Sequence, residues 1–334
     1  MPLRACRRTV SEVRLHLLLS IGLVLLCLGG ASVVGEEPFA EGREEPYVVT
    51  ADRVDLEVIE EKTITHLTGN VVVTHGEAVL TGDEATAYEE SALARIRGNV
   101  KLVDQGVIFT GRQGIYARDE RRAELLDEVV IVDREKTITA DRVTYLRDTR
   151  MATAYGDVCI SNSEREATVC GGHGTYDFAS AHGMMDQSPR IVLTRGRPTV
   201  IEAERAEVFD DENIAVATGS VVVERERVEA RCDRLTYYSS EERAVLEGHP
   251  VVKEGANWLR GNTIELIFAE NVLTEAHVIG SARCSHEAEG GGLNEVEGDS
   301  IRVTFESESA TRMVVGGQAR GIYRLPQGEE QPEG

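Results

Sequence analysis

The chain has 334 residues, with 36 Lys and Arg against 58 Asp and Glu, and a formal net charge of −22. That balance excludes an electrostatic nucleic-acid binder, which needs an excess of Lys and Arg against phosphate. It equally excludes a protein that docks by charge on an anionic membrane. A hydrophobic fraction of 41% with 28% charged residues suits a folded chain rather than a disordered one.

At the amino terminus, Arg4, Arg7, Arg8 and Arg14 precede an apolar run from Leu15 to Leu28, followed by Gly29, Gly30, Ala31 and Ser32. A basic segment, an apolar segment and small residues make the pattern of a secretory signal, with cleavage after Ala31 or Gly35. Leu15 to Val34 carries one His and no formal charge, so a retained membrane-anchor helix fits the same residues. Both readings export the rest of the chain. Leu26 is bulky where a lipid-attachment site before Cys27 needs a small residue. Residues 36–47 read as a linker.

From Val48 a phrase recurs. A small residue and an acidic or equivalent residue introduce alternating apolar residues, as in Thr50-Ala51-Asp52-Arg53-Val54, Thr139-Ala140-Asp141-Arg142-Val143-Thr144-Tyr145 and Cys232-Asp233-Arg234-Leu235-Thr236-Tyr237. Its anchor falls at positions 52, 83, 112, 141, 172, 204, 233, 262 and 299, at intervals of 29 to 37 residues. About nine units of nearly constant period are a repeat architecture. A second phrase follows most anchors by 16 to 18 residues: Gly69-Asn70-Val71, Gly98-Asn99-Val100, Gly156-Asp157-Val158 and Gly219-Ser220-Val221. Weaker copies are Asp127-Glu128-Val129 and Gly248-His249-Pro250-Val251. Period-two alternation, β-branched residues and Gly/Asn/Asp punctuation predict strands, with no long amphipathic helix. The phrase degenerates near Ser188-Pro189, where a soft break is expected. The longest interval holds the polar, Gly-rich stretch from Ser285 to Gly292, read as a surface loop. Residues 326–334 read as a disordered tail.

Export permits disulfides. Beyond the amino-terminal segment the chain holds Cys159, Cys170, Cys232 and Cys284, which allow three pairings. Cys159 and Cys170 flank a turn-like Asn162-Ser163-Glu164-Arg165 symmetrically, so they can face each other across a hairpin. Cys170-Gly-Gly-His173 and Cys284-Ser-His286 lack a second ligand pair at zinc-site spacing, so no metal site is expected.

Strands with one apolar face must bury it. The repeats close either as a narrow, filled solenoid or as two facing sheets with an apolar trough. Alternation directs Val54, Leu56, Val71, Val73, Val100, Leu102, Val143, Tyr145, Val221, Val223, Leu235, Tyr237, Ile264 and Leu266 to the inside.

The order Thr-Ala-Asp-Arg-Val-x-Tyr, Gly-Asn-Val-x-Val and Leu-Thr-Gly-Asp-x-Ala-x-Tyr resembles the OstA-like family over roughly residues 48–325. Thr50–Tyr88 and Thr139–Val158 carry the best copies. That family includes the periplasmic lipopolysaccharide-transport proteins LptA and LptC and the amino-terminal domain of LptD. The resemblance implies an all-β fold: an elongated twisted β-jelly-roll whose interior shields the acyl chains of lipopolysaccharide or a related glycolipid. The fourteen inward residues would then line a lipid-binding groove. It also implies end-to-end strand pairing with other Lpt-type jelly-rolls, with Val48–Val58 and Ile301–Phe305 as terminal candidates. An inner-membrane ABC transporter would supply the energy. Carriage of this kind makes and breaks no bond and calls for no cofactor. Two rivals remain: a structural β-solenoid without ligand, and an exported β-helix enzyme acting on polysaccharide. For the enzyme, acidic pairs such as Asp210-Asp211 occur throughout the turns, and no nucleophile motif, P-loop or acid–base cluster stands out.

Overall fold

A computed structural model of the chain describes residues 17–18, 47–60, 62–287, 293–306 and 309–323. The described residues are all-β, with strands following one another as antiparallel hairpins. The expected signal or anchor, most of the linker and the tail lie outside them. Of the apolar stretch Leu15–Val34 only Leu17–Leu18 are described, and they are a short strand against Val48–Val49 rather than part of a helix. No helix among the described residues is long and apolar enough to cross a membrane.

The chain forms two compact units. One is Met1–Arg134 with Arg142–Arg147; the other is Glu135–Asp141 with Asp148–Gly334. They part within the strand Lys136–Leu146, not at Ser188-Pro189. There the strands are instead cut short, into His182–Asp186 and Arg190–Leu193, because Pro189 has no N–H to give to a ladder.

In the first unit the long strands are Lys62–His75, Ala78–Tyr88, Leu93–Asp104, Val107–Ala117 and Arg122–Asp133, each paired with the next in antiparallel register. Arg53–Ile59 adds to Lys62–Thr68. In the second, Met151–Asn162, Ala167–Asp177, Ile214–Arg225, Val228–Tyr238, Val272–Glu287 and Leu293–Glu306 are the long strands. Shorter pieces such as Arg243–Glu247 and Val251–Glu254 complete the ladder between them.

Each long strand is bent at its middle. The ladder register slips between Thr68 and Val71, Arg97 and Val100, Tyr155 and Val158, Thr218 and Val221, and Ile279 and Ala282. The first four bulges are the Gly-Asn-Val phrases, and the fifth, Gly280-Ser281-Ala282, is a further copy that the sequence reading did not pick out. Glycine and the residue after it both take positive φ, as at Gly69/Asn70 and Gly98/Asn99, which turns the strand through a corner. The third residue then points into the core: Val71, Val100, Val158, Val221 and Ala282 are all essentially inaccessible. All nine anchor positions sit at these corners, against the glycine or its substitute. Each repeat is therefore one strand pair with one corner contact.

The bend brings the two halves of a strand pair face to face. Phe109, before the corner of its strand, packs its ring 4.5 Å from that of Tyr145, which lies beyond the corner of its own. In the second unit a buried cluster runs through Ile201, Val221, Leu235, Leu246, Ile264, Val278 and Ile301. The interior is thus mostly aliphatic, with the Phe109–Tyr145 pair in the first unit, and is enclosed by two half-sheets in each unit.

Candidate functional site

Within the first unit the interior is not completely filled. A cavity of about 90 Å³ lies between the half-sheets, lined by Val49, Val54, Leu67, Val73, Leu80 and Ile96 among others. Tyr47, Tyr88, Tyr116 and Arg118 also line it. A mainly apolar lining with a few polar groups suits an apolar ligand. Of the fourteen residues expected inside, Val54 and Val73 line this cavity.

The others divide by how tightly they are packed. Val71 and Val100 fill corners, and Leu102, Val143 and Tyr145 are fully buried in the first unit. Val221, Leu235 and Ile264 belong to the buried cluster of the second, with Val223, Tyr237 and Leu266 packed against it. Leu56 departs from the pattern: it is 51% exposed. Its strand pairs on one side only among the described residues, so its inner face has no second neighbour to cover it. Val58 and Ile59 share that exposure. Val49, Leu67, Leu80 and Ile96 were not singled out from the sequence, although the same period-two alternation places them inside.

A second feature escaped the sequence altogether. The hairpin tips fall into two rows, one at each end of the bent strands. Backbone hydrogen bonds join tips of the same row, as from Arg118 N to Ala92 O and from Arg147 N to Arg121 O at 2.9 and 3.1 Å. Among the described residues no backbone hydrogen bond joins one row to the other. Polar side chains bridge this seam instead. In the first unit the Arg147 guanidinium donates to Asp104 at 3.3 Å and to His75 Nδ1 at 2.8 Å. The Tyr145 hydroxyl donates to Asp104 at 3.0 Å, and the Tyr47 and Tyr116 hydroxyls meet at 3.2 Å. Burial, then the Tyr116 hydroxyl, push the Tyr47 phenol above its usual range.

In the second unit Lys136 Nζ bonds Asp210 Oδ2 and the Tyr176 hydroxyl, which itself reaches Asp210 at 3.2 Å. Arg165 adds Asp210 Oδ1 at 3.4 Å and Asn213 at 3.3 Å. Burial pulls the Lys136 ammonium down, but its hydrogen bonds to Asp210 and Tyr176 outweigh it and hold the group above the usual range. Cys159 and Cys170 are direct partners across their hairpin, with Cα atoms 4.1 Å apart, and are joined by a disulfide. Cys232 and Cys284 are free and buried. No group of three or more metal-ligating side chains exists among the described residues.

Two family models match the chain. Residues 44–195 match the OstA-like protein family, and residues 190–272 match the family of LptA and LptD amino-terminal-domain LPS transport proteins. Over residues 44–195 this is an OstA-like sequence. The all-β succession of antiparallel strands is consistent with the β-jelly-roll expected from the resemblance. No curated protein sequence matches the chain. Among solved structures, one similar chain is LptH of Pseudomonas aeruginosa, the LptA homologous periplasmic component of the lipopolysaccharide transport device. It is 15% identical, with 31% of this chain and 75% of LptH covered and a TM-score of 0.29.

Proposed function

We propose that this OstA-like chain is a non-catalytic periplasmic carrier that holds the acyl chains of lipopolysaccharide, or of a related glycolipid, in its apolar interior. The sugar head stays in water. The observation that carries this reading is the unfilled aliphatic cavity between the half-sheets of the first unit, bounded by Val54, Leu67, Val73, Leu80 and Ile96. A chain of about ten methylenes costs about 8 kcal/mol to expose to water, and such an interior removes that cost. Movement along it draws on an inner-membrane ABC transporter, to which the amino-terminal segment would hold the chain if retained as an anchor.

The terminal strands support hand-over to other Lpt-type jelly-rolls. Arg53–Ile59 pairs on one side only among the described residues, with Leu56, Val58 and Ile59 exposed. At the far end the expected Ile301–Phe305 is no edge, because its strand lies between Val272–Glu287 and Ser309–Gly316; the strands beyond it instead expose Met313, Val314, Ile322 and Tyr323. Unpaired edges carrying apolar side chains add readily to a further strand.

Photocrosslinking tests the reading. A photoreactive residue at Val54 or Leu80 should crosslink lipopolysaccharide in cells, and one at the exposed Arg112 should not. Equal crosslinking at all three positions would remove the interior as the lipid's place.

A further inference from the structure

The seam between the two rows of tips has a consequence for how a lipid gets in. A glycolipid cannot disappear into the interior, because its sugar head is joined covalently to its acyl chains. Wherever the chains lie along a unit, the link to the head must pass through the wall. Most of that wall is closed by backbone hydrogen bonds, strand to strand. The corners are closed by the inward valines and by the anchor contacts. Opening either would break several backbone hydrogen bonds in a place with no water to replace them. The seam differs, since among the described residues only side chains reach across it.

Resting on the lipid-carriage reading above, we propose that the seam is the side door through which acyl chains reach the interior, and that the Lys136–Asp210–Tyr176–Arg165 cluster is its latch in the second unit. Lys136 and Arg165 stand on one row of tips; Tyr176 and Asp210 stand on the other. The Lys136 contacts across the seam join residues 40 and 74 positions apart in the chain. Lys136 and Asp210 expose only 17% and 13% of their side chains. A desolvated ion pair adds little net stability to a fold but resists the removal of one partner. That suits a contact which specifies the closed arrangement and is released as a whole. When the door opens, both charges regain water, so the open state is not penalised as an apolar seam would be. Asp104, His75 and Arg147 occupy the same position in the seam of the first unit, and Arg225 reaches the Asn271 carbonyl at 3.3 Å further along the second.

Two probes separate the door from carriage itself. Dansyl-undecanoate has a small head and can thread in from an open end. Lipopolysaccharide labelled with fluorescein on its sugar must pass its link through the wall. Asp210→Asn should raise both the association and the dissociation rate of labelled lipopolysaccharide at least about tenfold, with a smaller change in Kd, as a gate does. A variant with Lys136→Cys and Asp210→Cys, bridged by a short bismaleimide, should still take up dansyl-undecanoate but load labelled lipopolysaccharide at least about tenfold more slowly than its unbridged form. Equal loading of bridged and unbridged protein, with dansyl-undecanoate bound, overturns the door and leaves carriage standing. An effect of Asp210→Asn on dissociation alone overturns the latch. If the wild-type protein binds neither probe, carriage falls and the door with it.

Discussion

The Asp83 carboxylate fills the space that a side chain on Gly98 would need, and Asn99 Nδ2 donates to it at 2.9 Å. The same arrangement joins Asp52 to Gly69 and Asn70. It explains why the two phrases of the repeat travel together: the anchor acid caps the corner that the glycine makes. Gly98→Ala has two costs, the positive φ of 72° and the collision with Asp83. Gly106 also has positive φ, at 85°, but open space around it. Gly106→Ala should therefore lose about 1 kcal/mol and Gly98→Ala clearly more, about 2 kcal/mol or above. Urea unfolding of both variants measures the difference. Equal losses would mean that the corner contact adds nothing.

At the corner of Arg122–Asp133 the glycine is missing. Asp127 and Glu128 both hold positive φ, at 63° and 53°. Here the polarity is reversed: Gln113 donates to Asp127 at 2.8 Å, and Arg112 pairs with Glu128 at 2.5 Å. Both contacts are exposed and worth little, whereas left-handed backbone without glycine costs about 1 kcal/mol or more. Asp127→Gly should stabilise the protein by about 1 kcal/mol, read as a higher urea midpoint at unchanged slope. A lower midpoint would show that the Gln113 contact is what holds this corner.

The corners were legible because each needs particular residue types at fixed spacing, and that leaves a period in the sequence. Alternation likewise placed Val71, Val143 and Ile264 inside, since a strand between two neighbours has no freedom to turn. It failed at Leu56, where the strand keeps its alternation but has lost its second neighbour. The seam left no signal at all. Lys136, Asp210, Asp104 and Arg147 stand at or beside hairpin tips, among many solvated charges of the same kind. What distinguishes them is a partner 43 to 74 residues away, and no local pattern encodes that. The choice between a filled interior and one with room was also hidden, because it depends on how closely two half-sheets approach.

In the first unit Asp104 is almost fully buried beside Arg147. Asp104→Asn keeps the shape and the acceptor for Tyr145 but leaves the guanidinium without a counter-charge. Removing one member of a buried pair typically costs about 3–5 kcal/mol. Adding Arg147→Met removes the orphaned charge and should recover most of that loss. A double variant as unstable as the single one would show that packing at this site, not charge, sets the cost.

Burial pushes the Cys232 thiol up to about 11, and burial does the same to Cys284, also to about 11. An unfolded thiol titrates near 8.5. Between those values the folded protein holds protons that the unfolded chain releases, so unfolding becomes easier as pH rises. This contribution is fully present below about pH 8.5 and is lost progressively as pH climbs toward 11. The thiolate is the reactive form, so the folded thiols should also resist alkylation at pH 8. Iodoacetamide followed by mass spectrometry should find both unlabelled in the native protein and both labelled in urea. Labelling of either in the native state at pH 8 would mean that its strand opens locally. Replacing both by Ala should then flatten the alkaline fall of the urea midpoint relative to the parent; an unchanged slope would assign that fall to the buried tyrosines instead.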